Sequence, residues 1–243
     1  MSHLVYCIMR EDPKAPAELP LDGCGRRVSA LAEQGLLAAV SQIPEEDIAP
    51  TVGRLQAFAA VIESLHAVRT VLPMRYGCLV PNAERVAELL RERGAEFASA
   101  LDGVEGCVEM SIRAILDGDP GTASTPPPCC ASPDVSGGKQ YLASRKALYA
   151  RQTLSAKTAD ALGERAVAVF RGLFVRHVSE YAPLPSGPCR MPVLSLHFLV
   201  RRSCIESFRS AFEMLDRNES AKMLLSGPWP PYNLVQPVKG VFR

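Results

Sequence analysis

The sequence contains no Gly-x-x-x-x-Gly-Lys, no Gly-x-Ser-x-Gly and no His-Glu-x-x-His. A phosphate-cradling loop, a nucleophile elbow and a zincin helix are therefore not encoded in recognisable form. Charge of one sign is also missing: 27 basic against 26 acidic residues leave a formal net charge of +1. That balance gives no electrostatic case for a nucleic-acid or anionic-membrane partner. No stretch approaches the ~18 consecutive apolar residues of a membrane span. The first apolar run, Leu4 to Met9, is too short for a signal-peptide core and lacks a basic lead, so a cytoplasmic location is expected. The four histidines, His3, His66, His177 and His197, are scattered and have no carboxylate or cysteine at metal-ligand spacing. His197 lies in an apolar run, where a hydrogen-bonded core histidine is expected. The eight cysteines include no Cys-x-x-Cys pair. Cys7, Cys78 and Cys107 sit in apolar runs and read as small buried hydrophobes, while Cys129-Cys130 falls in a Pro/Ser loop.

What is present is a succession of short periodic segments. Leu4 to Met9 reads as a strand buried on both faces. Arg27 to Leu31 and Leu36 to Val40 read as a half-exposed hairpin turning at Gln34-Gly35. Leu55, Phe58, Ile62 and Leu65 mark one face of a helix over about 51–69. Val71 to Gly77 reads as a strand with an arginine in it. Arg75 either points outward or pairs with a helix carboxylate such as Glu63. Pro81-Asn82 opens a helix with Val86, Leu89 and Leu90 on its face, and Phe97 and Leu101 continue the pattern past Gly94. From Val104 to Ile115, Val108, Met110, Ile112 and Ala114 alternate with Glu109, Ser111 and Arg113, which predicts a long strand.

Residues 117–138 break this composition with Gly, Ser, Thr and Pro, and are expected to form a loop. A long helix is predicted over 139–180, with Ala159, Leu162, Ala166, Val169 and Leu173 as its seam. Val193 to Val200 is the clearest strand. Ser203 and Glu206 form a capping-box pattern before a helix carrying Ile205, Phe208, Phe212 and Leu215. Ala221 to Leu225 reads as a last strand. It runs into Ser226-Gly227-Pro228-Trp229-Pro230-Pro231-Tyr232, which holds the only tryptophan and three of the twenty prolines. Prolines fix φ and remove donors, so this tail is stiff and extended. Trp229 is expected to cap the core, so that Trp229→Ala lowers stability before it affects binding. The whole reads as α+β in two domains, 1–103 and 104–243. The order of the second suits a ferredoxin-like sandwich with the long helix and a C-terminal extended tail.

Three motifs coincide with those of a known family. Val71-Leu72-Pro73-Met74-Arg75-Tyr76-Gly77 resembles the Val-Leu-Pro-hydrophobic-Arg-aromatic-Gly element of the GvpL/GvpF family of gas vesicle proteins. Tyr141-Leu142-Ala143-Ser144-Arg145-Lys146 is similar to that family's entry to its long helix, and Ser226 to Tyr232 to its Thr-Gly-Pro-Trp-Pro-Pro-Tyr end. The motif order and the opening Leu-Val-Tyr strand agree, so the resemblance covers essentially the whole chain. Ser226 stands where the family has threonine, and Leu234 where an aromatic is usual. The helix before Val71 lacks a histidine near Phe58, and the proline-rich stretch is longer than typical.

The resemblance implies a modified form of the ferredoxin-like sandwich for the second domain and, for the whole chain, an accessory or minor structural protein of gas vesicles, cytoplasmic and vesicle-associated. It would assist assembly by binding the small hydrophobic shell protein and limiting its aggregation during nucleation, alongside other accessory proteins. No cofactor, metal or catalysis is implied. Arg75, Tyr76, Tyr141, Trp229, Pro230, Pro231 and Tyr232 are the structural or partner-contact candidates. Two other classes stay open on the residues alone. One is a thiol-dependent enzyme using Cys129-Cys130; the other is a ligand-binding regulatory module.

Overall fold

The computed structural model describes residues 2–12, 25–44, 48–116, 146, 156–183 and 192–235. The fold is α+β with two sheets, of five and four strands. Contacts cluster into two compact units. The first comprises Met1–Met110, Phe198–Ser203 and Gly227–Arg243; the second comprises Ser111–His197 and Cys204–Ser226.

The first unit is built on β1 (Ser2–Arg10), β2 (Ser29–Glu33), β3 (Leu36–Ile43), β4 (Val71–Pro73) and β5 (Leu79–Val80). The order is β2-β3-β1-β4, with β5 also pairing β1, and every pairing is antiparallel. The β2–β3 turn has Gln34 and Gly35 at φ 51° and 76°. Two consecutive positive φ values are what a two-residue hairpin with right-handed strand twist requires. β1 is buried along eight of its nine residues, as expected of a central strand covered on both sides. A register shift between Val5 and Cys7 changes which residues face which side. Leu4, Tyr6, Cys7 and Met9 join one core cluster, and Val5 and Ile8 the other.

α1 (Val52–Val68) covers the first of these faces through Phe58, Val61, Ile62 and Leu65. Leu55, expected on that face, is exposed because it lies a turn beyond the end of the buried stripe. α2 (Ala83–Glu92) and α3 (Gly94–Asp102) bring Val86, Leu89, Leu90, Phe97 and Leu101 to the other cluster. Both long helices of this unit start on side-chain caps. Thr51 Oγ1 accepts the Arg54 N–H at 3.3 Å, and Asn82 Oδ1 accepts that of Arg85 at 2.8 Å. β3 is buried on both faces rather than half-exposed, since a helix layer lies on each side of the sheet.

The second sheet runs β7-β8-β6-β9, from β6 (Cys107–Ile115), β7 (Arg176–Pro183), β8 (Pro192–Arg201) and β9 (Lys222–Trp229). With α4 (residues 156–169) and α5 (Ile205–Asn218), the chain order is strand, helix, strand, strand, helix, strand. The helix expected over 139–180 is corrected here: the described part ends at 169, and 176–183 is strand. Gly172 at φ 86° turns the chain, a conformation that ends a helix. Beyond it Val175, Val178 and Tyr181 favour strand. The seam is likewise Ala159, Leu162, Ala166 and Phe170, all buried, while Val169 is exposed. The spacing follows a straight helix of 3.6 residues per turn rather than a 3.5-residue heptad.

Phe170 stacks on Phe208 at 4.2 Å and 13°. Arg165 donates two hydrogen bonds to Glu219, at 2.6 and 2.9 Å. These bonds hold the Glu219 carboxyl below its ordinary range. The helix start predicted at Ser203 lies one residue later, after a tight 3-10 turn over Arg202–Cys204. Cys204 is the N-cap and makes no side-chain bond there, and Glu206 pairs with Arg209. The 117–138 loop and the 139–145 helix entry lie outside the described residues.

Candidate functional site

β6 carries a carboxylate into the interior: Glu109 is 2% exposed. A buried charge is tolerated only where donors replace its water. Here they come from the tail. The Asn233 backbone N–H donates to Glu109 Oε2 at 2.8 Å, and Asn233 Nδ2 donates to Oε1 at 2.6 Å. Glu109 was expected on the open face of an alternating strand, with Ser111 and Arg113. Ser111 is buried too, and only Arg113 of the three is exposed. The alternation is real, but β6 is a central strand and the tail covers the second face at Glu109.

Local chemistry brings the tail there. Gly227 sits at φ 116°, and a Cβ on it would lie 2.7 Å from the Glu109 carbonyl oxygen. Only glycine allows that approach. Ser226 Oγ donates to the Ser111 carbonyl at 3.4 Å. β9 therefore continues through Ser226 to Trp229, four residues past the strand end expected at Leu225. Pro228 is tolerated because β9 is an edge strand. After Trp229 the chain folds into a turn, with Tyr232 N–H donating to Pro230 O at 2.7 Å and Val235 N–H to Pro231 O at 3.2 Å. Leu234 drops into the cluster that holds Val5, Phe97 and Leu199.

The candidates separate by burial. Pro230 and Pro231 are buried, so they shape the turn from inside. Trp229 is 39% exposed, and Leu234, at 4%, lies inside the core cluster. Tyr232 is 40% exposed. Its phenol is pushed well above its ordinary value, first by burial and then by Glu63, Cys7 and Glu109. Arg75 is exposed, and among the described residues its guanidinium makes no ion pair, with Glu63 or any other group. Its carbonyl instead accepts the Cys78 N–H at 3.2 Å. Tyr76 packs edge-on against Phe58 at 5.3 Å, and Phe58 stacks on Tyr6 at 5.0 Å. Tyr141 lies outside the described residues.

Three further groups bear on chemistry. Burial pushes the Cys7 thiol up to about 12 and raises that of Cys78 as well, so neither supplies a thiolate at neutral pH. Cys24, Cys129, Cys130 and Cys189 lie outside the described residues. His197 Nδ1 lies 2.9 Å from Ser111 Oγ, the hydrogen-bonded core histidine expected. His66 is 5% exposed, and neither of its ring nitrogens has a hydrogen-bond partner among the described residues. Its backbone carbonyl accepts from the Arg202 guanidinium. Burial, then the Arg202 charge, lowers its pKa to about 4. The position was legible, four residues after Ile62 on the buried stripe of α1. Among the described residues no cluster of His, Cys, Asp and Glu is placed to hold a metal, and no helix is long and apolar enough to cross a membrane.

Against known proteins, the family model described as gas vesicle synthesis protein GvpL/GvpF matches residues 2–236. The chain belongs to the GvpL/GvpF gas vesicle family. Gas vesicle protein F of a Streptomyces species is 26% identical, covering 97% of this chain and 100% of that protein. Gas vesicle protein F2 of Halobacterium salinarum is 24% identical over 96% and 92% respectively. The crystal structure of GvpF from an Anabaena species superposes with a TM-score of 0.74 at 17% identity, covering 97% of this chain and 96% of that one. GvpF from Microcystis aeruginosa gives the same TM-score at 14% identity. At those identities the structures speak for the shared fold.

Proposed function

We propose that this GvpL/GvpF protein assists gas vesicle assembly by binding the small hydrophobic shell protein and limiting its aggregation during nucleation. The observation that carries the reading is the family match across residues 2–236, to a family described by gas vesicle synthesis. Other gas vesicle accessory proteins are proposed as further partners, and the vesicle as the place of action. Of the six candidates among the described residues, Arg75, Trp229 and Tyr232 present the most surface to a partner, Tyr76 less.

Deleting the gene in a vesicle-forming host should abolish or sharply reduce vesicles; normal vesicles in normal number would end the proposal. Pull-down of the shell protein by the purified chain separates direct binding from an indirect effect. Because Trp229 is 39% exposed, Trp229→Ala is expected to weaken that capture while shifting stability by only about 1–2 kcal/mol. Intact capture by a variant that no longer folds stably at 37 °C would restore Trp229 to a purely structural role.

A further inference from the structure

We propose that β7 is a self-pairing edge, through which two copies of this chain join their four-stranded sheets antiparallel about a twofold axis at Val178. This goes beyond the assembly role and does not depend on it. Sheet edges are normally blunted by short length, proline, or a covering element. Among the described residues, three of the edges are. β4 and β5 have three and two residues, and β4 ends in Pro73. β2 is backed by α2, with Arg91 on Glu33 at 3.2 Å. β9 carries Pro228. β7 has eight residues and no proline before its last position. Residues 175–182 are all exposed, with Val175 at 50%, Val178 at 40% and Tyr181 at 39%.

The sequence of this edge fits a second copy of itself. Antiparallel pairing centred on Val178 sets Val178 against Val178, Arg176 against Glu180 and His177 against Ser179. The dimer thus holds two opposite-charge pairs and sets a β-branched valine on its own axis, favourable cross-strand pairs. Within one chain the two charges cannot meet. Four strand residues separate them by about 13 Å, and among the described residues neither has an ion pair. Slipping the register by one residue sets Arg176 against Tyr181 or Ser179 and loses both charge pairs. The pattern therefore selects the twofold arrangement over other strands.

The test is the oligomeric state of the full chain by sedimentation velocity at low salt. A strand pair of this length lies at the low end of specific interface sizes, so dimer should appear in the micromolar range and weaken with salt. Arg176→Glu or Glu180→Arg alone sets like charges opposite each other twice and should weaken the dimer about tenfold or more. The double variant exchanges both charges and should restore it. Both changes lie on exposed positions, and circular dichroism checks that each of the three variants folds. A chain that stays monomeric throughout, or a dimer indifferent to the single changes, overturns the proposal. So does a complex with the shell protein that fails in the single variants and is not restored in the double, since that partner would own the edge.

Discussion

Glu109 shows how much one residue decides. A carboxylate at 2% exposure would be protonated or destabilising without donors, and Asn233 supplies two. Charge-assisted hydrogen bonds of this kind are worth about 1.5–3 kcal/mol. Asn233→Ala, which removes one of the two, should cost about 1.5 kcal/mol by urea unfolding. Glu109→Ala should cost more, because it strands the Asn233 N–H and opens a gap in β6. A double-mutant cycle isolates the pair. Coupling of at least about 1 kcal/mol is expected, and coupling near zero would mean that this pair does not help to hold the tail. None of this could be read from the alternation of β6. Its pattern places Glu109 opposite Met110, but what covers that face lies more than a hundred residues away in sequence.

Among the elements, those with complete local signals were legible, and those decided by a single turn were not. Gln34-Gly35 fixed a hairpin, Asn82 a helix start, and Val86, Leu89 and Leu90 a buried stripe, all as the periodicity predicts. α4 and β7 misled because a periodic seam was extended through Gly172, whose positive φ ends it. β9 misled in the opposite direction, since prolines after Gly227 suggest a strand end. Gly227 in fact keeps the edge paired by letting backbone approach backbone. Gly227→Ala should therefore cost about 3 kcal/mol, from left-handed strain plus the clash with the Glu109 carbonyl. Serine at 226 is the internal control: Ser226→Ala loses one long hydrogen bond and should cost under about 1 kcal/mol. Equal, small effects at both positions would show that β9 does not approach β6 so closely in solution.

At the scale of the molecule, chain order and contact order differ. Leu199 and Leu234 lie in the same cluster as Val5 and Phe97, so the first unit is completed only by two returns of the chain. A local pattern cannot announce such returns; the α+β class was legible and the composition of each unit was not. A whole-molecule consequence follows from His66, buried in α1 with Arg202 on its carbonyl. Its folded pKa of about 4 lies below the ordinary 6.5 that the unfolded chain recovers. Below pH 6.5 the unfolded chain therefore takes up a proton that the folded one refuses. The stability tied to a neutral His66 is complete above pH 6.5, falls as the pH drops, and is lost by about pH 4. The full loss is on the order of 3 kcal/mol. Carboxylates add their own acid sensitivity, so the discriminating measurement is a difference. His66→Leu keeps the volume apolar and leaves the carbonyl for Arg202. Unfolding free energies at pH 8, 6 and 5 should fall less steeply for this variant than for the parent, and the gap should open below pH 6.5. Parallel pH profiles would show that His66 is protonated or hydrated in the folded protein and that the burial of its ring nitrogens carries no acid penalty.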